Sequence, residues 1–130
     1  MRTHEVIAVF SQAMLGVNDI EISKISDDAV LDNLGIGPGF AKKHRNVYTS
    51  PVGFFVITTP INREPATHGN GATIGFNVDS PEQTNTFYAA GIANSGTACE
   101  GPPELRASGA YLAYLRDPDG NKVCAIHRPG

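Results

Sequence analysis

The chain has 130 residues and a mass of 13.8 kDa, which suffice for one compact domain and are too few for a two-domain enzyme. Hydrophobic residues make up 41% and charged residues 18%, so the chain can bury a core and is not disordered by composition. The net charge of −3 provides no basic surface for nucleic acid or for an anionic membrane, and we expect neither partner.

Two further features predict a cytoplasmic protein. No apolar run approaches the roughly 20 residues of a membrane span, and residues 1–10 contain too short an apolar stretch for a secretory signal. Cys99 and Cys124 lack the CxxC spacing of a zinc knuckle or of a thioredoxin-like site. Because no secretory signal is expected, we expect both thiols to be reduced.

Short segments of alternating polarity, separated by Gly and Pro, predict a β-rich chain. The strands are expected near residues 10–17, 53–59, 73–78, 110–116 and 122–127. Two segments have helical spacing instead, near residues 19–34 and 81–95. The first helix is expected to start around Asn18, with Glu21 three residues on. Before the second, Ser80, Pro81 and Gln83 form the pattern of a capping box.

The two halves of the chain repeat this order of elements. An offset of 61 residues places residues 12–21 on 73–82, and an offset of 67 places the turn at 50–53 on the Asp-Pro-Asp-Gly turn at 117–120. Each half therefore has the order βαβββ. We predict a first module over residues 9–66, a second over 67–130, and an N-terminal extension over 1–8.

The chain resembles the vicinal oxygen chelate (VOC) superfamily, the group of glyoxalases, bleomycin resistance proteins and extradiol dioxygenases. The resemblance rests on residues 10–19, 69–76 and 114–122, the last containing the Asp-Pro-Asp-Gly-Asn turn. It implies an α+β fold in which two βαβββ modules form a cup-shaped mixed sheet with the helices on its outer face. It also implies an aromatic pair on the helix of each module. The second helix keeps this pair as Phe87 and Tyr88, whereas the first helix has Ser26 and Asp27 in its place.

The resemblance further implies a divalent metal held by His or Gln on the first strand of each module and by Glu on the fourth. The first-strand positions here are Gln12 and Thr73, and the fourth-strand positions are Ile57 and Cys124. Gln12 fits the family pattern, but Ile57 has no donor atom and Thr73 is a poor neutral ligand. We therefore expect no metal and no other cofactor, and we assign no catalytic residue.

The strand parity predicts which side chains line the cup. Tyr111 and Tyr114 have opposite parity, so one of them should face the cup. His68 is either an exposed loop residue or a substitute base or ligand at the rim. The expected ligand-binding residues are Gln12, Met14, Phe55, Ile57, Thr73, Asn77 and Cys124.

Three functions are compatible with this sequence. The first is the binding of a small organic molecule in the cup without a metal. The alternative is a metal-dependent glyoxalase-like lyase or isomerase, or a dioxygenase, with non-standard ligands. The third is an interaction module with a filled cup. Because each module exposes sheet edges, we also expect a homodimer.

Overall fold

The computed structural model of the chain describes residues 9–129, so the predicted extension at 1–8 lies outside the described residues. The secondary structure confirms the predicted strands and helices and adds three strands to them. The elements in chain order are β1 (Gln12–Gly16), α1 (Ile20–Asp32), β2 (Phe40–Lys42), β3 (Arg45–Ser50), β4 (Gly53–Thr58), β5 (Ile74–Asn77), α2 (Pro81–Ala93), β6 (Thr97–Leu105), β7 (Tyr111–Arg116) and β8 (Lys122–His127).

The strands form two four-stranded sheets of identical order, β1-β4-β3-β2 and β5-β8-β7-β6. In each sheet the first strand pairs in parallel with the fourth, and the remaining pairs are antiparallel. This repeated mixed topology confirms the α+β fold of two βαβββ modules. The exact module limits, 9–66 and 67–130, stay a prediction.

Each helix begins at a polar cap. The α1 cap is Asp19, whose carboxylate accepts hydrogen bonds from the backbone N–H groups of Glu21 and Ile22, so the expected start at Asn18 is one residue early. In α2 the Ser80 hydroxyl accepts from the backbone N–H of Gln83, as predicted. No helix within residues 9–129 is long and apolar enough to cross a membrane.

Both helices pack on one face of the sheets, and the modules share a core there. One cluster surrounds Tyr48 and Ile57 and the other surrounds Phe87 and Leu115. Phe76 joins them, because its ring lies 5.4 Å from that of Phe55 and 5.8 Å from that of Phe87, centroid to centroid. Burial of this apolar surface drives the association of the two modules.

The Asp-Pro-Asp-Gly-Asn turn between β7 and β8 also holds the modules together. The carboxylate of Asp119 accepts hydrogen bonds from the backbone N–H of Asn18 at 2.9 Å and from the Ser23 hydroxyl at 3.0 Å. The Asn121 amide donates to the carbonyl of Gly16 at 3.0 Å. The turn therefore fixes the end of β1 and the start of α1 to the second module.

Candidate functional site

A cavity of about 730 Å³ lies between the two sheets, beside the turn that joins β3 to β4. Consecutive residues of β1 and of the segment entering β5 line it, so it occupies the seam where these two strands face each other. The lining consists of residues 10–14, 36, 48–50, 52–55 and 73–76.

Strand geometry gives this seam cavity polar backbone groups. β1 and β5 are edge strands, each paired on one side only within the described residues. In β1 the bonds to β4 involve alternate residues such as Ser11, whose carbonyl accepts from the Phe54 N–H. Gln12 and Met14 therefore direct their backbone N–H and C=O groups away from β4, towards β5. In β5 the backbone N–H of Val78 donates to the carbonyl of Ile126 in β8. Gly75 has the opposite parity to Val78, so its backbone N–H and C=O point away from β8, towards β1.

Three side chains of β1 and β4 border the seam cavity on the cup face, the sheet face opposite the helices. Gln12 is the parallel partner of Phe54 and Met14 lies two residues on, so all three side chains share that face. Phe54 is 49% exposed and Met14 is 37% exposed. Beside the polar Gln12, the cavity is therefore bordered by two apolar side chains that the rest of the fold leaves partly exposed.

Four of the seven predicted ligand-binding residues line the seam cavity. Gln12, Met14 and Thr73 do so from the cup side. Phe55 reaches it from the helix side, because it shares a face with Ala13 and packs edge-to-face on Phe76.

The prediction that Ile57 lines the cup is wrong, because its side chain points to the opposite face of β4, towards the helices. Ile57 is fully buried against the helix layer. The parallel register pairs Met14 with Val56, so Val56 holds the cup-facing position on β4. The superposition of the two turn glycines, Gly53 and Gly120, places Ile57 opposite Cys124, but β4 begins at Gly53 itself whereas β8 begins at Lys122, two residues after its glycine.

Asn77 and Cys124 lie on the cup face but outside the lining of the seam cavity. Cys124 pairs with Gly75, whose missing side chain leaves room for the sulfur. Burial raises the pKa of the Cys124 thiol, which keeps it protonated and disfavours a nucleophilic role.

The register also places the residues left open by the sequence. Tyr114 pairs with Cys124 and faces the cup, whereas the Tyr111 hydroxyl donates to Asn85 of α2 at 2.8 Å. His68 is exposed, lies against the turn at Gly120, and does not line the seam cavity.

The chain aligns over most of its length with a solved structure. A crystal structure of a glyoxalase/bleomycin resistance protein from Albidiferax ferrireducens T118 is 65% identical, covers 92% of this chain and 98% of its own, and has a TM-score of 0.90. The chain belongs to the glyoxalase/bleomycin resistance protein family. The family predicted from the sequence is thereby confirmed. No family sequence model and no curated protein matches the chain.

More distant glyoxalase-like proteins share the fold alone. A glyoxalase-related enzyme from Fulvimarina pelagi is 19% identical, with 92% of this chain and 88% of that chain covered and a TM-score of 0.76. A putative glyoxalase from Bacillus halodurans is 17% identical, with 92% and 95% covered and a TM-score of 0.75.

The metal position of the wider VOC superfamily is filled by unsuitable side chains in this family member. With the corrected register, the four cup-facing positions hold Gln12, Val56, Thr73 and Cys124. An amide, an isopropyl group, a hydroxyl and a buried protonated thiol supply no anionic ligand to balance a dication. Among residues 9–129 no three His, Cys, Asp or Glu side chains are grouped so that they could hold a metal ion. The residues present do not fit a divalent metal.

Charged side chains on the cup face of the second sheet are engaged with one another. The Lys122 ammonium pairs with the Glu100 carboxylate and lies 4.4 Å from the ring centroid of Tyr114. Arg106 Nε lies 3.3 Å from Glu104 Oε1. These charges lie outside the lining of the seam cavity.

The aromatic part of the lining, chiefly Phe10, Phe54 and Phe76, is not among the residues predicted from the sequence. In β4 the run from Phe54 to Ile57 is apolar throughout, so it has no alternation from which its cup face could be read. The pairing of Phe54 with Gln12 supplies that information, and pairing is not visible in one sequence.

Proposed function

We propose that the protein binds a small organic molecule in the seam cavity without a metal ion. The observation that carries the proposal is the cavity itself, whose volume of about 730 Å³ lies within the range of ligand sites. Its walls combine aromatic and aliphatic side chains with a few polar groups, among them Gln12 and Thr73. Such a composition is typical of a site that takes an organic ligand.

The side chains that line the seam cavity support binding without a metal, because they offer few metal ligands. A glyoxalase-like lyase or isomerase, or a dioxygenase, needs an electrophile and a base that moves protons. The described lining residues include no carboxylate and no imidazole, and Gln12 alone keeps a ligand of the family's type. Ligand binding therefore has more support from the geometry than metal-dependent catalysis.

A thermal-shift screen tests this proposal. The protein is incubated with a panel of small organic compounds, with Ni²⁺, Zn²⁺, Mn²⁺ or Fe²⁺, or with chelator. A ligand that binds the folded state raises the melting temperature by mass action, whereas we expect no shift with metal or chelator. Stoichiometric metal in elemental analysis, lost together with activity in Gln12→Ala, would instead establish the metal-dependent alternative.

We also propose that the protein forms a homodimer in the cytoplasm. Outside the seam cavity the chain exposes large apolar side chains such as Ile25, Ile61 and Leu105. β6 is a poor template for strand addition because Pro102 and Pro103 lack N–H donors, so we expect the subunits to join through side-chain packing. Light scattering at micromolar concentration should report twice the chain mass, and a monomer would contradict the dimer.

A further inference from the structure

We propose that the ligand of the seam cavity is an uncharged, largely aromatic molecule that carries one or two neutral hydrogen-bonding groups. This inference rests on the proposed function and narrows it to a chemical class. Three independent properties of the cavity walls support it, namely the absence of charge, the aromatic surface and the neutral hydrogen-bonding groups.

The first property is the absence of charge from the cavity walls. Among residues 9–129, no Asp, Glu, Lys, Arg or His lines the cavity. A charged group that leaves water for such a site loses its hydration and gains no ionic partner, which strongly disfavours its binding. An uncharged ligand avoids this cost.

The cation beside Thr73 in the second sheet is already paired with an acid. Thr73 precedes Ile74, the partner of Val123, so its position lies beside Lys122 in the sheet. The Lys122 ammonium is paired with Glu100 and lies over the Tyr114 ring. An acidic ligand would compete with Glu100 for this ammonium.

The second property is the aromatic surface of the lining. Phe10 is 86% exposed and Phe54 is 49% exposed, so their rings offer apolar area that the described fold does not bury. On the helix side of the lining, Phe55 and Phe76 meet edge-to-face with an interplanar angle of 78°. Aromatic rings bind other rings by offset stacking and edge-to-face contact, so a planar aromatic ligand matches these walls.

The third property is the set of neutral hydrogen-bonding groups on opposite walls. The seam-facing backbone groups of Gln12 and Met14 lie on one wall, and those of Gly75 lie on the other. The side chains of Gln12 and Thr73 add an amide and a hydroxyl. Hydroxyl, carbonyl or amide groups on the ligand would satisfy them without bringing a charge.

Isothermal titration calorimetry at pH 7 with three naphthalene probes of similar size tests the ligand class. The probes are 2-naphthol, which is neutral, 2-naphthoate, which is an anion, and 2-naphthylmethylammonium, which is a cation. We expect 2-naphthol to bind at least about tenfold more tightly than either ion. Equal or tighter binding of an ion at this site would overturn the inference.

Three variants locate the binding. Phe54→Ala should weaken 2-naphthol binding, and Phe40→Ala should not, because Phe40 is similarly exposed at 52% but lies outside the cavity lining. Thr73→Lys places a cation in the wall and should strengthen 2-naphthoate binding specifically. Circular dichroism checks that each variant is folded.

The outcomes separate this inference from the proposed function. If an ion binds best and Phe54→Ala abolishes its binding, the cavity is a ligand site but the neutral aromatic class is wrong. If none of the three probes binds, the aromatic class is also wrong. The proposed function fails if the thermal-shift panel gives no ligand of any class, or if binding requires a metal ion.

Discussion

At the scale of single residues, the least expected side chain is Asp27 on α1. It occupies one of the positions where the family resemblance implied an aromatic pair, and it is buried with no hydrogen-bond partner for Oδ2. Burial, reinforced by the charges of Asp117, Asp28 and Asp119, raises its pKa to about 8. Tyr48, whose pKa is itself raised, also lies near this carboxyl group. Asp27 is therefore protonated in the folded protein at neutral pH.

This protonation predicts a pH-dependent stability. In the unfolded chain Asp27 releases its proton near its ordinary pKa of 3.8, so between that pH and about 8 the folded state binds the extra proton. Its contribution to stability is complete below pH 4 and is lost as pH rises towards 8, by at most about 1.4 kcal/mol per pH unit. Urea unfolding at pH 5 to 9 should show that decline.

Asp27→Asn should flatten this decline, because an amide does not ionise. Asp32→Asn, a change of the same kind at an exposed position of α1, is the matched control and should leave the decline intact. Identical pH profiles for Asp27→Asn and the native protein would show that Asp27 is not the group responsible.

At the scale of elements, the two helices end alike but with different residues. Gly35 has a φ of +74° and Ser95 has a φ of 72°, and in both cases the N–H of the next residue bonds a carbonyl five residues back. Glycine adopts this left-handed conformation without strain, whereas serine does not. α2 therefore ends with a strain that α1 avoids.

Ser95→Gly should stabilise the protein by about 1 kcal/mol in urea unfolding, because it removes the left-handed strain. The reciprocal change, Gly35→Ser, should destabilise the protein by a similar amount. A Ser95→Gly variant that is less stable than the native chain would show that the backbone at Ser95 is not strained.

The contact of α2 with β7 gives a second prediction. A Cβ atom added at Gly91 would lie 2.3 Å from Leu115 Cδ1, so the helix packs closely on the strand there. Gly91→Ala should cost about 1–3 kcal/mol of unfolding free energy through overpacking. In the double variant with Leu115→Ala the two losses should be less than additive, since the smaller strand residue makes room. Full additivity would argue against the clash.

The sequence predicts the order of elements better than the site, and the reason lies in β-sheet pairing. Capping residues such as Ser80 and local periodicity act within a few residues, so α2 and the alternating strands are predictable. The bounds of β6 cannot be read from the sequence, because Gly101, Pro102 and Pro103 interrupt any alternation and the register shifts between Cys99 and Glu104. The face of each residue in β4 depends on pairing with β1, which no local pattern encodes.

At the scale of the whole molecule, the turn containing Asp119 joins the two modules. Asp119→Ala removes its bonds to Asn18 and Ser23 and should lower the unfolding free energy by about 1–3 kcal/mol. Asp79→Ala is the control, because Asp79 is exposed and only its backbone N–H is bonded, to Gln83. If both variants unfold at the same urea concentration as the native chain, the turn does not stabilise the module contact.

Metal-free binding of an organic ligand between the modules of this glyoxalase/bleomycin resistance family member can be measured by calorimetry. 2-Naphthol is titrated into chelator-treated protein before and after addition of Zn²⁺ or Ni²⁺. We expect one site per chain and the same affinity in both titrations, and a weaker affinity in the Phe54→Ala variant. Binding that appears only after metal is added would contradict metal-free binding.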